Sequence, residues 1–390
     1  MLRYRKLLVC ILIGIGFSSS AQIPKSWKEH LTIDGYIKYL PSTSFGRLDT
    51  LLTNNYIHNR INTKWYINDQ WTVKVDLRNQ LFFGETVSNT PGYGDLLGKD
   101  KGWLKLTRTL AEGHSYVVHS AMDRMYIDYQ GDKWEARVGR QRINWGINLA
   151  WNANDLFNAY NLVDFDYQER PGTDAIRLQY YTGDLSHIEL AYQPDSTLDK
   201  SILAGLYKCN RWGYDWQLIG GQYLTDFVIG GGWAGSIKNA GFKGEASFFR
   251  DRKGWRDTTT AASISLSLDY SFKNGLYANA SFLYNSSGSN SNTRFNPQRW
   301  IAGSLSAKYL MPSKYSYLLQ LMGSFNPRAK GNLLLVYGQG LDFIYLMSSF
   351  DYEIKSNWSM SLIGQVLLID SDNGWKNPGN TIYLQLWYSY

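Results

Sequence analysis

Arg137, Arg140 and Arg142 fall within six residues and lead into VGRQRINWGINLAWNANDLFNAYN, residues 138–161. Asp155, Asp164, Asp166, Glu169 and Arg170 follow closely. Guanidinium groups and carboxylates at such spacing can act in two ways. They can face one another across a narrow opening, where the field between them sorts solutes by charge. They can instead pair and brace the segment, since buried charges are generally paired. The residues alone leave both readings open.

Enzymatic chemistry finds little support. His30, His58, His114, His119 and His187 form no short metal-ligand spacing such as H-E-x-x-H. Gly98-Lys99 is followed by Asp100, which excludes a phosphate-binding loop, and no G-x-S-x-G elbow occurs. A non-enzyme without cofactor or metal is expected. The 40 basic residues exceed the 33 acidic ones only mildly and form no run, which argues against a nucleic-acid partner.

The N-terminus, MLRYRKLLVCILIGIGFSSSAQ, places Arg3, Arg5 and Lys6 before an apolar run from Leu7 to Phe17. Small residues follow, and cleavage is expected between Ala21 and Gln22. The apolar run is shorter than the about 20 residues that a spanning helix needs. Residues 1–21 therefore read as a signal peptide and 22–390 as one exported domain. Only Cys209 then remains, so no intramolecular disulfide is expected. Loss of three basic residues lowers the formal charge from +7 to +4.

The charged stretch must be positioned by strands. Tyr, Trp and Phe number 29, 15 and 16, against 9 prolines, a composition that suits strands. Mean hydropathy is negative, at -0.35, and no segment after the leader approaches the length of a membrane helix. WTVKVDLRNQLFF (71–83) puts Trp71, Val73, Val75, Leu77, Leu81 and Phe83 on one face and Lys74, Asp76 and Arg78 on the other. TAASISLSLDYSF and NWSMSLIGQVLLI repeat the split. Strands of this kind, aromatic at their ends, fit a transmembrane antiparallel β-barrel of the bacterial outer membrane, with apolar residues outward and polar ones inward.

Eighteen strands are predicted, with sixteen as the alternative. They lie at 29–40, 52–67, 71–83, 116–130, 133–142, 174–182, 186–194, 201–209, 214–223, 226–236, 240–250, 259–271, 275–285, 299–310, 315–325, 340–355, 357–369 and 380–390. Glycine-rich 218–235 and the long GNLLLVYGQGLDFIYLMSSF fit this pattern least well. Tight turns alternate with long segments at 84–115, 143–173, 286–298 and 370–379, the asymmetry of periplasmic turns and extracellular loops. Helices are predicted from Asn152 in WNANDLF and within DLLGKDKGWLKLTRTLAEG, where Trp103, Leu104, Leu106 and Leu110 would share a face. The last strand, NTIYLQLWYSY, aligns Ile382, Leu384, Leu386, Tyr388 and Tyr390. Tyr388 and Tyr390 resemble the terminal signal read by the barrel assembly machinery. About seven residues lie between Gln22 and the first strand, so no plug domain is expected there.

VGRQRINWG, WNANDLFNAYN and ERPGTDAIRLQYY together resemble a motif of porin-like outer-membrane barrels, over residues 134–181. The motif joins a Gly-Arg-Gln strand end to a Trp-Gly pair and an Asn/Asp-Leu-Phe-Asn segment. Asn152-Ala153-Asn154 stands where the pattern often has Asn-Pro. The resemblance implies a channel fold and extends, as an analogy, to alginate-export-like barrels.

The expected pore or constriction residues are Arg60, Lys74, Asp76, Arg78, Asp128, Glu135, Arg137, Arg140, Arg142, Asp155, Asp164, Asp166, Glu169 and Arg170, with His58 and Lys64 also inward. Later strands offer mainly Ser, Asn and Gln inward. The long loop at 143–173 is expected to fold towards the lumen. A passive channel for small polar or charged solutes leads the readings. An occluded barrel that binds a surface partner and an export channel for an anionic polymer are the alternatives. Expected partners are outer-membrane lipid, lipopolysaccharide, the assembly machinery and small polar solutes; a homo-oligomer stays open.

Overall fold

The alternating segments form strands, and the strands close on themselves. The computed structural model describes residues 29–46, 51–98, 100, 102–159, 172–252, 260–290, 305–370 and 374–390. Its strands are β1 (Leu31–Phe45), β2 (Leu51–Tyr66), β3 (Trp71–Gly84), β4 (Thr107–Glu112), β5 (Tyr116–Gln130), β6 (Trp134–Gln141) and β7 (Thr173–Gly183). They continue as β8 (Ser186–Gln193), β9 (Ile202–Arg211), β10 (Tyr214–Tyr223), β11 (Asp226–Ile237), β12 (Ala240–Asp251) and β13 (Ala261–Ser271). β14 (Tyr277–Asn285), β15 (Tyr315–Asn326), β16 (Ala329–Gln339), β17 (Phe343–Lys355), β18 (Trp358–Ile369) and β19 (Lys376–Ser389) complete the set.

Chain neighbours pair antiparallel, β3 pairs with β5, and β19 returns to β1. Eighteen strands form the closed wall. β4 is an extra six-residue strand that lies beside the upper part of β5, from Thr107↔Ala121 to Glu112↔Val117. There it replaces β6, which pairs with β5 only between Met125 and Gln130. The junction of β1 and β19 is tight. Gly35 and Tyr390 exchange backbone hydrogen bonds of 3.1 and 3.0 Å, and the Tyr390 hydroxyl donates to Arg60 O at 3.0 Å. A Cβ on Gly35 would stand 2.2 Å from Arg60 O, which explains the glycine.

The strand count agrees with the expectation through two compensating differences. Residues 305–310 are not a strand, and Ser306 and Tyr309 form only an isolated bridge; residues 299–304 of the predicted strand lie outside the described residues. Conversely, the stretch read as one strand at 340–355 begins later, at Phe343. A separate strand, β16, precedes it, and the turn between them uses Gly340 (φ 93) and Asp342 (φ 44). The glycine-rich segment does form β10 and β11, as predicted.

Neither predicted helix forms. The segment after Tyr93 has a short helix, α2 (Tyr93–Leu97), preceded by α1 (Glu85–Ser88), and then runs extended into β4. Side chains satisfy its backbone in place of helical bonds: Asp100 accepts from Gly102 N and Leu106 N, and Asp174 from Leu104 N. Trp103 and Leu110 are left exposed. At Asn152 the chain makes a turn, with Asp155 N donating to Asn152 O at 3.3 Å, and no helix follows through residue 159.

Most connections sort by end as expected. One end has tight turns such as Trp212-Gly213, both at positive φ, the geometry of a type I′ hairpin. The other carries the long loops, although β10–β11 and β16–β17 are joined tightly there as well. Aromatic pairs gird the tight-turn end: Trp71–Tyr129, Trp134–Tyr180 and Trp358–Tyr388 have ring centroids 4.9, 4.5 and 4.8 Å apart. Apolar residues of one strand face, such as Leu218, Ile229 and Leu362, stay exposed on the outside.

Candidate functional site

An 18-strand ring is too wide for its own inward side chains to fill. What occupies the lumen divides the wall into two regions.

The first runs over β2, β3, β5, β6 and β7 and is charged. Arg60 donates to Asp76 at 3.1 Å, to Asn62 at 2.8 Å, and to Asp123. Arg78 meets Asp123 at 2.9 Å and Lys74 meets Asp76 at 3.3 Å. Nearer the tight-turn end, Arg137 bridges Asp128 at 2.7 Å and Glu135 at 3.1 Å, and Arg177 adds a second cation to Glu135. The cations differ in access. The Arg60 side chain is 2% exposed, whereas Lys74, Arg78 and Arg137 retain 32%, 19% and 18%. Arg60 is thus enclosed by its partners, and the other three keep one side towards open space. His58 is buried between the rings of Tyr36 and Tyr56, at 5.2 and 5.6 Å, and Lys64 lies over the Tyr66 ring at the tight-turn end.

Asp123 was not anticipated, for a definite reason. The β3–β5 register shifts between Asp76 and Leu77, which pair with Arg124 and Met122. Asp123 is therefore the extra residue of a bulge, and inward parity changes along β5: Asp128 is inward below it, His119 and Ala121 above. No pattern in the sequence marks that slip.

Arg140 has a separate role. It binds Asp174 at 2.7 and 2.9 Å, Asp100 at 2.9 and 3.0 Å, and Leu104 O at 2.6 Å. It ties the loop after α2 to the β6–β7 junction. A Cβ on Gly102 would stand 2.1 Å from this guanidinium. Bracing of Arg137 and Arg140 thus comes from Asp128, Glu135, Asp100 and Asp174. Of the expected acidic partners, Asp164, Asp166 and Glu169 lie outside the described residues, as does Arg170. Arg142 is half-buried at the start of the inward loop. Asp155 is 1% exposed and accepts from Asn158 N at 3.3 Å.

The second region is the wall that receives this loop. Residues 142–159 fold into the lumen, as expected, and dock on β8 and on β10 to β13. Trp145 Nε1 donates to Glu189 at 2.7 Å, and Gln217 donates to Trp145 O at 2.8 Å. Asn148 donates to Ser265 Oγ at 2.6 Å; Asn154 donates to Gly231 O at 2.9 Å and accepts from Ser247 at 2.8 Å. Glu245, fully buried, accepts from the backbone N–H groups of Ile147, Asn148 and Asn154. The glycines of β11 make room: a Cβ on Gly232 would meet Ile147 Cδ1 at 3.0 Å, and one on Gly230 would meet Asn154 Oδ1 at 3.0 Å. Trp145 and Phe157 pack edge to face at 5.0 Å within an apolar cluster that includes Ile202, Leu206, Ile219 and Val228.

A second inward segment had been read as a strand. Ala307, Leu310 and Met311 are buried, Ser263 donates to Ala307 O at 2.8 Å, and Asn285 donates to Met311 O at 2.9 Å. Leu310 and Met311 share a cluster with Ala150, Trp151 and Ala153 of the first loop and with Leu318, Leu334 and Val336 of the far wall. That wall is thus more apolar inward than the Ser, Asn and Gln predicted.

Known structures share this architecture. Over 93% of this chain and 99% of theirs, the structure of OccK5 (OpdH) from Pseudomonas aeruginosa matches at a TM-score of 0.58 with 9% identity. OccAB4 of Acinetobacter baumannii matches over 93% of this chain and 98% of its own, at 0.54 and 10% identity. The outer membrane protein OpdK of Pseudomonas aeruginosa matches over 92% and 98%, at 0.54 and 9% identity. At these identities the likeness is one of fold, a porin-like barrel. No protein-family model and no curated protein matches the sequence.

Proposed function

We propose that this chain is an outer-membrane channel through which small polar or charged solutes diffuse passively. The observation that carries the reading is the placement of the inward loop. Its described part docks on the Ser-rich and apolar wall and leaves the charged wall of β2, β3 and β5 to β7 opposite it. A passage between them would have cations and carboxylates on one side, the arrangement by which pores sort ions. Lys74, Arg78 and Arg137, whose side chains keep 32%, 19% and 18% of their exposure, are assigned to meet solute. Arg60 and Arg140, with Asp76, Asp100, Asp123 and Asp174, hold the wall and the rim loop in shape. Asp128 and Glu135 temper the charge of Arg137, and the expected constriction residues outside the described structure would complete the opening.

The setting belongs to the same proposal. Residues 1–21 would direct export and leave Gln22 as the first residue. Tyr388 and Tyr390 would be read during assembly, and the outer apolar face would meet outer-membrane lipid and lipopolysaccharide. Mass analysis of the exported protein tests the first point directly.

Single-channel recording of the purified, folded protein in a planar bilayer tests the function. Stepwise ohmic currents are expected, with a reversal potential in a salt gradient that shifts towards cation preference in Lys74→Ala and Arg78→Ala. Silence from correctly folded protein would overturn the channel reading in favour of an occluded, partner-binding barrel. Reversible block of the current by an anionic oligosaccharide would extend the reading to polymers, as the analogy with alginate-export-like barrels suggests.

A further inference from the structure

Glu245 lies on β12, on the far side of the lumen from the arginines, and no charge spacing in the sequence draws attention to it. Its carboxylate is completely buried, yet it accepts three backbone N–H bonds from one segment of chain. Ile147 N and Asn148 N share Oε1, the latter at 2.7 Å, and Asn154 N reaches Oε2 at 2.9 Å. Both oxygens of one side chain thus gather the two arms of the bend at 147–154. Consecutive N–H groups turned onto one anion form a cradle, and hydrogen bonds to a charged acceptor are roughly twice as strong as neutral ones.

The loop's own side chains brace its ends, where Asn158 accepts from Ile143 N at 2.9 Å and Asp155 from Asn158 N at 3.3 Å, and leave the bend between them to other partners. The backbone–backbone bonds within the loop, among the described residues, are Asp155 N to Asn152 O and Leu156 N to Asn154 O. Among the described residues, Trp151 Nε1 and Asn152 Oδ1 are buried without a partner. The remaining polar anchors of residues 145–154, at Glu189, Gln217, Gly231, Ser247 and Ser265, each serve a single loop residue. Among these wall anchors of the described residues, Glu245 is the one that joins residues on both sides of the bend.

We infer that Glu245 is the positioning residue of the inward loop, a carboxylate latch on the barrel wall that sets where residues 145–158 stand in the lumen. The latch rests on the geometry of the loop; its effect on current rests in addition on the channel reading. Glu245→Ala frees three N–H groups at once. Glu245→Asp keeps the charge but retracts it by one methylene, so it spans the bend poorly. Glu245→Gln keeps shape and both reach distances while losing the charge and one acceptor site, so it restores part of the effect.

Hydrogen exchange followed by mass spectrometry on the full-length folded protein in detergent is the test. In Glu245→Ala, peptides covering 145–158 are expected to exchange at least about tenfold faster, whereas strand peptides 186–193 and 214–223 keep wild-type protection. Glu245→Gln should fall between, and the same order should appear as larger and noisier single-channel conductance. Unchanged protection of 145–158 in both Ala and Gln variants would overturn the latch. Loss of protection throughout the strands in Glu245→Ala would turn judgement to Glu245→Gln, in which selective loop exchange supports the latch and wild-type exchange overturns it. A silent wild-type protein whose loop still loosens on substitution would remove the channel reading and leave the latch standing.

Discussion

β2 to β7 and β8 to β18 are built on the same period-two pattern, yet their inward faces do opposite work. The first group turns Arg60, Asp76, Arg78, Asp123, Asp128, Glu135 and Arg137 inward, and these satisfy one another from strand to strand. The second turns Gly230, Gly232, Ser247, Ser265, Leu318 and Val336 inward, and these satisfy two loops. A wall that completes its own ion pairs needs no covering chain. A wall of glycine, serine and aliphatic residues can be covered closely, because small side chains admit a backbone and apolar ones gain by leaving water. In the proposed channel, the side that a solute would meet is thus the side that has no use for a loop.

Substitutions in the two regions should therefore fail differently. The largest loss is expected for Arg60→Ala, which removes the cation shared by buried Asp76 and Asp123 and leaves them to the more exposed Lys74 and Arg78. Breaking a buried pair in this way costs about 3–5 kcal/mol, readable as a lower urea midpoint. If the midpoint stayed at the wild-type value, the charged wall would not be self-supporting and the contrast would collapse. Gly230→Val on the other wall pushes a Cβ to 2.6 Å from Ala246 O and towards Asn154. Overpacking of about 1–3 kcal/mol is expected there, together with altered conductance, because the loop is the part that can give way. Ser265→Ala removes one bond to Asn148 and should cost only about 0.5–1.5 kcal/mol by thermal unfolding, with ion preference unchanged.

The smallest expected effect concerns acid. Burial raises the Asp100 carboxyl, but Arg140 and the N–H groups of Gly102 and Leu106 outweigh it and hold it below the ordinary carboxylate value. A depressed carboxylate keeps its contribution above the unfolded value and loses it only as pH falls through the folded one. The rim loop at 98–106 should thus resist limited proteolysis at about pH 5 as well as at neutral pH, and Arg140→Ala should expose it at both. Cleavage of the wild-type loop appearing already at the higher of these pH values would show that the clamp is not what restrains it.

Much of this architecture is legible before any coordinates. In residues 71–83, 261–271 and 358–369 the alternation alone assigns strand and face, since a slip of one residue would turn every apolar side chain inward. The long charged, aromatic stretch after Arg137 announces a break in the strand pattern that could stand outside, cover the mouth or fold inward, and its described residues 142–159 lie in the lumen. Other features escape for physical reasons. Asp123 is hidden by a bulge, Ser306 to Leu310 alternates like a strand while packing as a loop, and the Trp103 segment has helical spacing that carboxylates override. Glu245 reads as one more inward polar residue because its partners lie 91 to 98 positions away in the chain.

Sequence alone therefore settles the local matters: strand periodicity, the outward apolar face, aromatic ends, and the chemical contrast between an arginine-bearing half and a serine- and glycine-bearing half. These depend on neighbours one to four residues apart, and the chain states them directly. Closure decides the rest. Only the ring brings Arg60 to Asp123, Arg140 to Asp100 and Glu245 to the bend at 147–154. Each of those contacts joins residues that no local period relates, and each depends on the register that the closed barrel imposes.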